Sequence, residues 1–147
     1  MMEGEGNEVC YTYRGYLCEI RRTPDLGILC GYVHYKGFLP ERFVMNIECH
    51  GGITYFKPGI VGFDCGHTFD LVPEQFLFMQ ELKEYNEPRR VYEFKKYRNM
   101  EYVKRECESI VEQIIEYKRP MRRLLKWLGL WNFYRCEELR KNKKLAT

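Results

Sequence analysis

Three features that would narrow the function at once are missing from this chain. None of its seven cysteines forms a CxxC pair: they stand apart at 10, 18, 30, 49, 65, 107 and 136. That spacing argues against a zinc ribbon or a thioredoxin-like redox motif. No apolar run approaches the roughly 18 residues of a membrane span. Met1–Glu8 is acidic and lacks the basic and apolar regions of a secretory signal. Free thiols in a reducing compartment, several of them small core residues, are the expectation, with the cytoplasm as location and no membrane partner. Histidine is scarce too, with three in the chain.

What remains is a chain of ordinary domain size. Its 147 residues suffice to bury a real core in one unit. Twelve tyrosines and nine phenylalanines lean that core toward β-structure, because aromatic rings fit a pleated, half-buried surface. The net charge of +3 conceals an uneven distribution. Residues 1–117 hold 14 Lys/Arg against 19 Asp/Glu, whereas residues 118–147 hold 10 against 2. An acidic body with a basic tail divides the chain into an α+β domain at 1–117 and a helical extension at 118–147. The extension is expected to pack on the same domain or on an oligomer partner, and its charge leaves nucleic acid open as a further partner.

Tyr11–Arg21 alternates large and polar residues on both sides of Arg14-Gly15, the pattern of a tight hairpin. Leu29–Lys36 offers a third strand. Val44–His50 alternates Met45, Ile47 and Cys49 with Asn46, Glu48 and His50, which predicts a strand leading into a Gly51-Gly52 turn. Directly opposed residues share a face, so that turn would gather His50, Glu48 and Tyr55. Ile60–Gly66 reads as a further strand, with Val61, Phe63 and Cys65 toward the core and Asp64 away from it. Pro73 can open a short helix through Glu84.

The clearest helix is Asn99–Lys118, where Met100, Val103, Cys107, Ile110, Ile114 and Tyr117 recur at steps of three and four. Asn99 suits the N-cap, and Pro120 should end or kink the element. Met121–Arg135 follows as a second, basic amphipathic candidate, its apolar face completing the core or an oligomer interface. The expected fold class is therefore α+β. An antiparallel meander sheet of about five to six strands precedes a long amphipathic helix and a basic C-terminal helix.

The stretches Cys49–Tyr55 and Asp64–Asp70 together hold two of the three histidines, two acids, two cysteines and three glycines. Polar groups beside glycines, which let backbone approach closely, mark a candidate site. Strand alternation turns Cys49 and Cys65 toward the core and leaves His50, Asp64, His67 and Asp70 as ligand types. These four would hold a divalent metal such as zinc if the site hydrolyses a phosphorylated substrate, with Glu48 as a base. A Cys65 thiol activated near His67 is another chemical reading. Alternatively His50, Gly51, Gly52, Tyr55, Asp64, His67 and Asp70 line a pocket for a small anionic ligand, with no catalytic residue and no cofactor. The basic run from Arg89 to Arg98 is suited to that ligand's phosphates. A third reading makes the protein an inhibitor that binds a host protein through its helical tail.

Several segments resemble a group of small uncharacterised phage and prophage accessory proteins. They are Tyr13-Arg14-Gly15-Tyr16 with Cys18, Cys30-Gly31-Tyr32-Val33, His50-Gly51-Gly52-Ile53-Thr54-Tyr55, Gly62-Phe63-Asp64-Cys65-Gly66-His67 and Met100-Glu101-Tyr102-Val103. The HGGxTY and GFDCxH segments are the most specific, and the resemblance spans roughly residues 11–117. It implies an accessory protein acting in a bacterial host cytoplasm. Proteins of that kind counter host defence, some by sequestering or degrading cyclic nucleotide or ADP-ribose-type signals. Capture by a homo-oligomer, without turnover, is the resulting expectation.

Overall fold

The structure, a computed structural model, describes residues 5–81 and 94–130. It begins with the hairpin expected from the sequence. β1 (Glu8–Tyr13) and β2 (Tyr16–Arg22) pair antiparallel, with Tyr13 opposite Tyr16. Arg14 and Gly15 between them both have positive φ, 48° and 85°. That is the two-residue turn whose twist matches paired strands, and glycine enters its second position without steric cost. β3 (Leu29–His34) pairs with β2. The second hairpin, β4 (Tyr55–Lys57) and β5 (Ile60–Asp64), docks through β5 onto β3. The spatial order is β1-β2-β3-β5-β4. Five antiparallel strands followed by a long helix make the α+β class that the sequence predicts.

The core lies between one face of this sheet and the helix Met100–Trp127, which follows the short helices α1 (Glu41–Val44) and α2 (Pro73–Glu81) and is here α3. Val103, Cys107, Ile110, Val111 and Ile114 on α3 are fully buried against Cys18, Ile20, Val33, Val61 and Phe63. Gly31 is where the layers come closest. A Cβ there would lie 2.6 Å from the Phe63 ring and 2.8 Å from the Cys107 sulfur. Asn99 caps α3 by accepting the Tyr102 N–H through its side chain. Glu5 reinforces that end by accepting the Met100 N–H, the Tyr97 hydroxyl and Arg22.

Two expectations are corrected. Val44–His50 is no strand: α1 ends at Val44, and an irregular segment runs to Tyr55. Val44 and Ile47, a helical step apart, are buried, while Met45 is 54% exposed. The backbone of this segment is satisfied from α3 instead of by a ladder. The Gln113 amide accepts from the Glu48 N–H and donates to the Glu48 carbonyl, and the Glu106 carboxylate accepts the His50 N–H. A short apolar run does not reveal its period, and side chains remote in sequence decided this one.

The second correction concerns the tail. Pro120 lies inside α3, which continues to Trp127. Gly129, at φ 71°, closes it. Leu130 N–H reaches the Leu125 carbonyl and Gly129 N–H the Lys126 carbonyl, a Schellman ending. The separate helix expected over Met121–Arg135 is thus, as far as Leu130, the last turns of α3 and their cap. Its remainder lies outside the described residues, as do Arg89, Arg90 and Cys136. No helix among the described residues is long and apolar enough to cross a membrane.

Truncating the helix–sheet core and the misread strand should separate cleanly in urea unfolding. Ile110→Ala is expected to lose about 2–5 kcal/mol, whereas Met45→Ala should stay within about 0.5 kcal/mol.

Candidate functional site

Three segments bring the polar residues together at one end of the sheet. Cys49–Gly52 forms a turn closed by the Gly52 N–H to the Cys49 carbonyl, with Gly51 at φ 66°. The His67 ring lies flat enough on Gly51 that a Cβ there would stand 2.0 Å from it. Any side chain at 51 would expel His67, so the glycine serves close approach as well as the turn. Beyond β5 the chain turns back, with the Asp70 N–H bonded to the His67 carbonyl. A short parallel bridge, Leu71 N–H to the Lys96 carbonyl and Lys96 N–H to the Phe69 carbonyl, draws Arg98 alongside. Arg98, Tyr102 and Glu106, each four residues on, then present one side of the start of α3.

Asp70 is the centre. It is 1% exposed, and Oδ2 accepts from His50 Nε2 at 2.7 Å and from the His67 backbone N–H at 3.1 Å. Oδ1 accepts from Arg98 Nε at 3.0 Å. Burial pushes the Asp70 carboxyl up, but hydrogen bonds from His50, Arg98 and the His67 backbone outweigh it and hold the group below the usual carboxylate value. An ionised carboxylate only accepts, so His50 Nε2 carries a proton. The other nitrogen, Nδ1, lies 3.1 Å from the Tyr102 hydroxyl and accepts from it in the neutral ring. The Arg98 guanidinium covers the Tyr102 ring at 4.7 Å. Burial chiefly, with the Glu106 charge, raises the Tyr102 phenol and keeps it protonated, although Arg98 opposes the shift. His67 Nδ1 lies 3.5 Å from Asp70 Oδ2 and 4.0 Å from Asp64 Oδ1, and it is buried without a hydrogen-bond partner.

Of the residues singled out in the sequence, His50, His67 and Asp70 converge, with Gly51 beneath them. Asp64 stands at the margin, its oxygens engaged by the Thr54 hydroxyl and the Gly66 N–H. The shared face of His50, Glu48 and Tyr55 is corrected: Tyr55 pairs with Gly62 and packs edge-on to Tyr32, and the exposed Glu48 is tied through its backbone to Gln113. Burial drives the Cys65 thiol up to about 12 and the Cys49 thiol up to about 11, so neither forms an activated thiolate. Sequence reasoning missed Tyr102 and Glu106, and it enlisted Arg98 for phosphates. Their four-residue spacing on the face beside the apolar stripe was the available signal.

A second feature occupies the opposite end. A cleft of about 540 Å³ opens where the β1–β2 turn, the end of β3 and the C-terminal half of α3 meet. Lys36, Lys118, Arg122, Arg14 and His34 line it together with Tyr16, Tyr35, Phe38 and Tyr117. Among the described residues no acid lines it. Arg14 is held by Glu112, and His34 Nε2 lies 3.2 Å from Glu19. Lys118 reaches the Lys36 carbonyl and passes over the Tyr35 ring. Phe38, 79% exposed, stands at the rim. Tyr117 lies fifteen residues after Tyr102, roughly 22 Å along α3.

Fold and site together define an α+β domain with a His–His–Asp cluster at one end and a cationic, aromatic cleft at the other. Comparison with protein-family models, with curated proteins and with solved structures finds no match for the chain.

Asp70→Ala should destabilise by about 3 kcal/mol, since it strands the partly buried Arg98 and the His50 N–H. The depressed Asp70 pKa fixes the sign of its acid dependence. Its stabilisation is complete above the ordinary value of 3.8 and is lost as pH falls through the lower, folded-state value. Urea midpoints measured from neutral to acid pH should therefore fall less steeply in Asp70→Ala than in the wild type.

Proposed function

We propose that the protein captures a small anionic ligand bearing an aromatic ring, of the nucleotide class, in the cleft between β3 and the C-terminal half of α3. The observation that carries this reading is the lining. Cationic side chains and aromatic faces share one concavity of a size that encloses a small molecule, with no opposing carboxylate among its described residues. Lys36, Lys118 and Arg122 suit phosphate oxygens, and Tyr35, Tyr117 and Phe38 suit a base. A ring as exposed as Phe38 gains contact by stacking, worth about 1–3 kcal/mol per base.

Capture without turnover is favoured by the separation of roles. The groups suited to proton transfer, His50, Asp70 and Tyr102, sit at the far end of α3. The resemblance to phage accessory proteins favours a nucleotide-derived signal of a bacterial host, such as a cyclic nucleotide or an ADP-ribose derivative, as the ligand.

Calorimetric titration with cyclic mononucleotides, cyclic dinucleotides and ADP-ribose tests this, with inorganic phosphate for comparison. One member of the panel should bind saturably, more weakly as salt is raised, and be recovered intact after heat denaturation. Phe38→Ala and Lys36→Glu alter exposed residues and should each weaken binding about tenfold, which is about 1.4 kcal/mol, without moving the unfolding midpoint. Binding that survives both substitutions, or recovery of a cleaved product, contradicts the reading.

A further inference from the structure

Apart from the cleft, the cluster at the other end of the domain has the composition of a metal centre. We propose that His50, His67 and Asp70 form a divalent cation site of the zinc class. It would have three protein ligands and a remaining position open to solvent or to a ligand. The three residues each offer a ligand atom, and these atoms all lie within 4.8 Å of one another. In a tetrahedral zinc site with bonds of about 2.0–2.1 Å, neighbouring ligand atoms stand roughly 3.3 Å apart. His67 Nδ1 and Asp70 Oδ2, at 3.5 Å, already have that spacing.

His50 Nε2 and Asp70 Oδ2, at 2.7 Å, are at hydrogen-bond distance. They need to open by about 0.6 Å when the metal replaces the shared proton.

The surroundings suit this exchange. A histidine that ligates through one nitrogen needs a partner for the other, and a ligating carboxylate needs its second oxygen held. His50 has the Tyr102 hydroxyl at Nδ1, and Asp70 has Arg98 at Oδ1. On binding, the His50 Nε2 proton leaves through solvent and a proton is taken up at Nδ1, which then donates to the Tyr102 oxygen. The imidazole stays neutral and only its tautomer changes. His67 Nδ1 supplies the independent sign, a buried nitrogen with no hydrogen-bond partner beside a carboxylate oxygen. Such an atom in an otherwise satisfied network calls for a ligand or a solvent contact. The local charge favours a cation, because Asp64, Asp70 and Glu106 border the cluster, and Arg98 pairs with Asp70. Asp64 stays outside the ligand set, its carboxylate committed to Thr54 and Gly66.

Cobalt(II) titration of the full, chelator-treated chain reads coordination directly. The expected result is one cobalt per chain with the intense visible bands of low coordination number, no thiolate charge-transfer band, and displacement by zinc. His67→Ala removes a nitrogen that has no hydrogen-bond partner, so the variant should keep the wild-type circular dichroism while binding cobalt at least about tenfold more weakly. His34→Ala, at the other end of β3, should bind as the wild type does. Absence of the visible bands in the wild type overturns the proposal, as does a thiolate band or unchanged binding in His67→Ala. If His67→Ala does not fold, the wild-type spectrum and His67→Gln decide by the same criteria. Nucleotide capture in the cleft can fail without affecting any of these outcomes.

Discussion

The buried carboxylate of Asp70 must be met by donors, and that requirement organises the end of the domain around it. At 1% exposure an ionised group is tolerated only when hydrogen bonds replace the water it has lost. Those bonds come from places distant in the chain: His50 from the segment after α1, the His67 backbone from the turn after β5, and Arg98 from the approach to α3. Each donor sits in irregular structure between the strands and helices. The carboxylate therefore holds the loops to one another as well as to the sheet. Removing it would leave three loops without a common anchor, while the core beneath α3 would remain intact.

Helix α3 supplies the second constraint. Its apolar stripe is spent on the sheet, from Val103 to Ile114. Its flanks do separate work along their length. Near its start, Tyr102 and Glu106 complete the His–Asp cluster. Two turns further, Gln113 fixes the segment that carries His50 by bonding both backbone groups of Glu48. Past the sheet, Tyr117, Lys118 and Arg122 form one wall of the cleft. A single helix thus sets the geometry of both candidate sites, at opposite ends of the molecule.

Elements whose signals are local were legible in the sequence. The Arg14-Gly15 hairpin follows from turn chemistry and strand alternation, and α3 follows from its stripe and its Asn99 cap. The placement of β3, β5 and the opening of α2 at Pro73 followed in the same way. What failed was long-range. The alternation at Met45, Ile47 and Cys49 was real, but Gln113 and Glu106 satisfy that backbone from more than 50 residues away, and no local pattern announces them. Gly129 ends α3 by a cap motif that was read as helix interior, while Pro120 is accommodated inside the helix. Within the site, the convergence of His50, His67 and Asp70 was foreseen from their density. The role of Tyr102 was not, because a tyrosine beside an apolar stripe looks like packing.

Both candidate sites are defined by particular atoms. The cleft joins cations to aromatic faces, and the cluster joins a buried carboxylate to two imidazoles, one fully engaged and one with a nitrogen to spare. The link common to fold and cluster is the bond between His50 Nε2 and Asp70. Long-range proton–nitrogen NMR of the histidine side chains in metal-free protein observes it directly. The account predicts that His50 carries its proton on Nε2, that this proton exchanges slowly with solvent, and that Asp70→Ala abolishes the protection. A His50 ring with Nε2 unprotonated, or with an Nε2 proton that exchanges freely in the wild type, would contradict it.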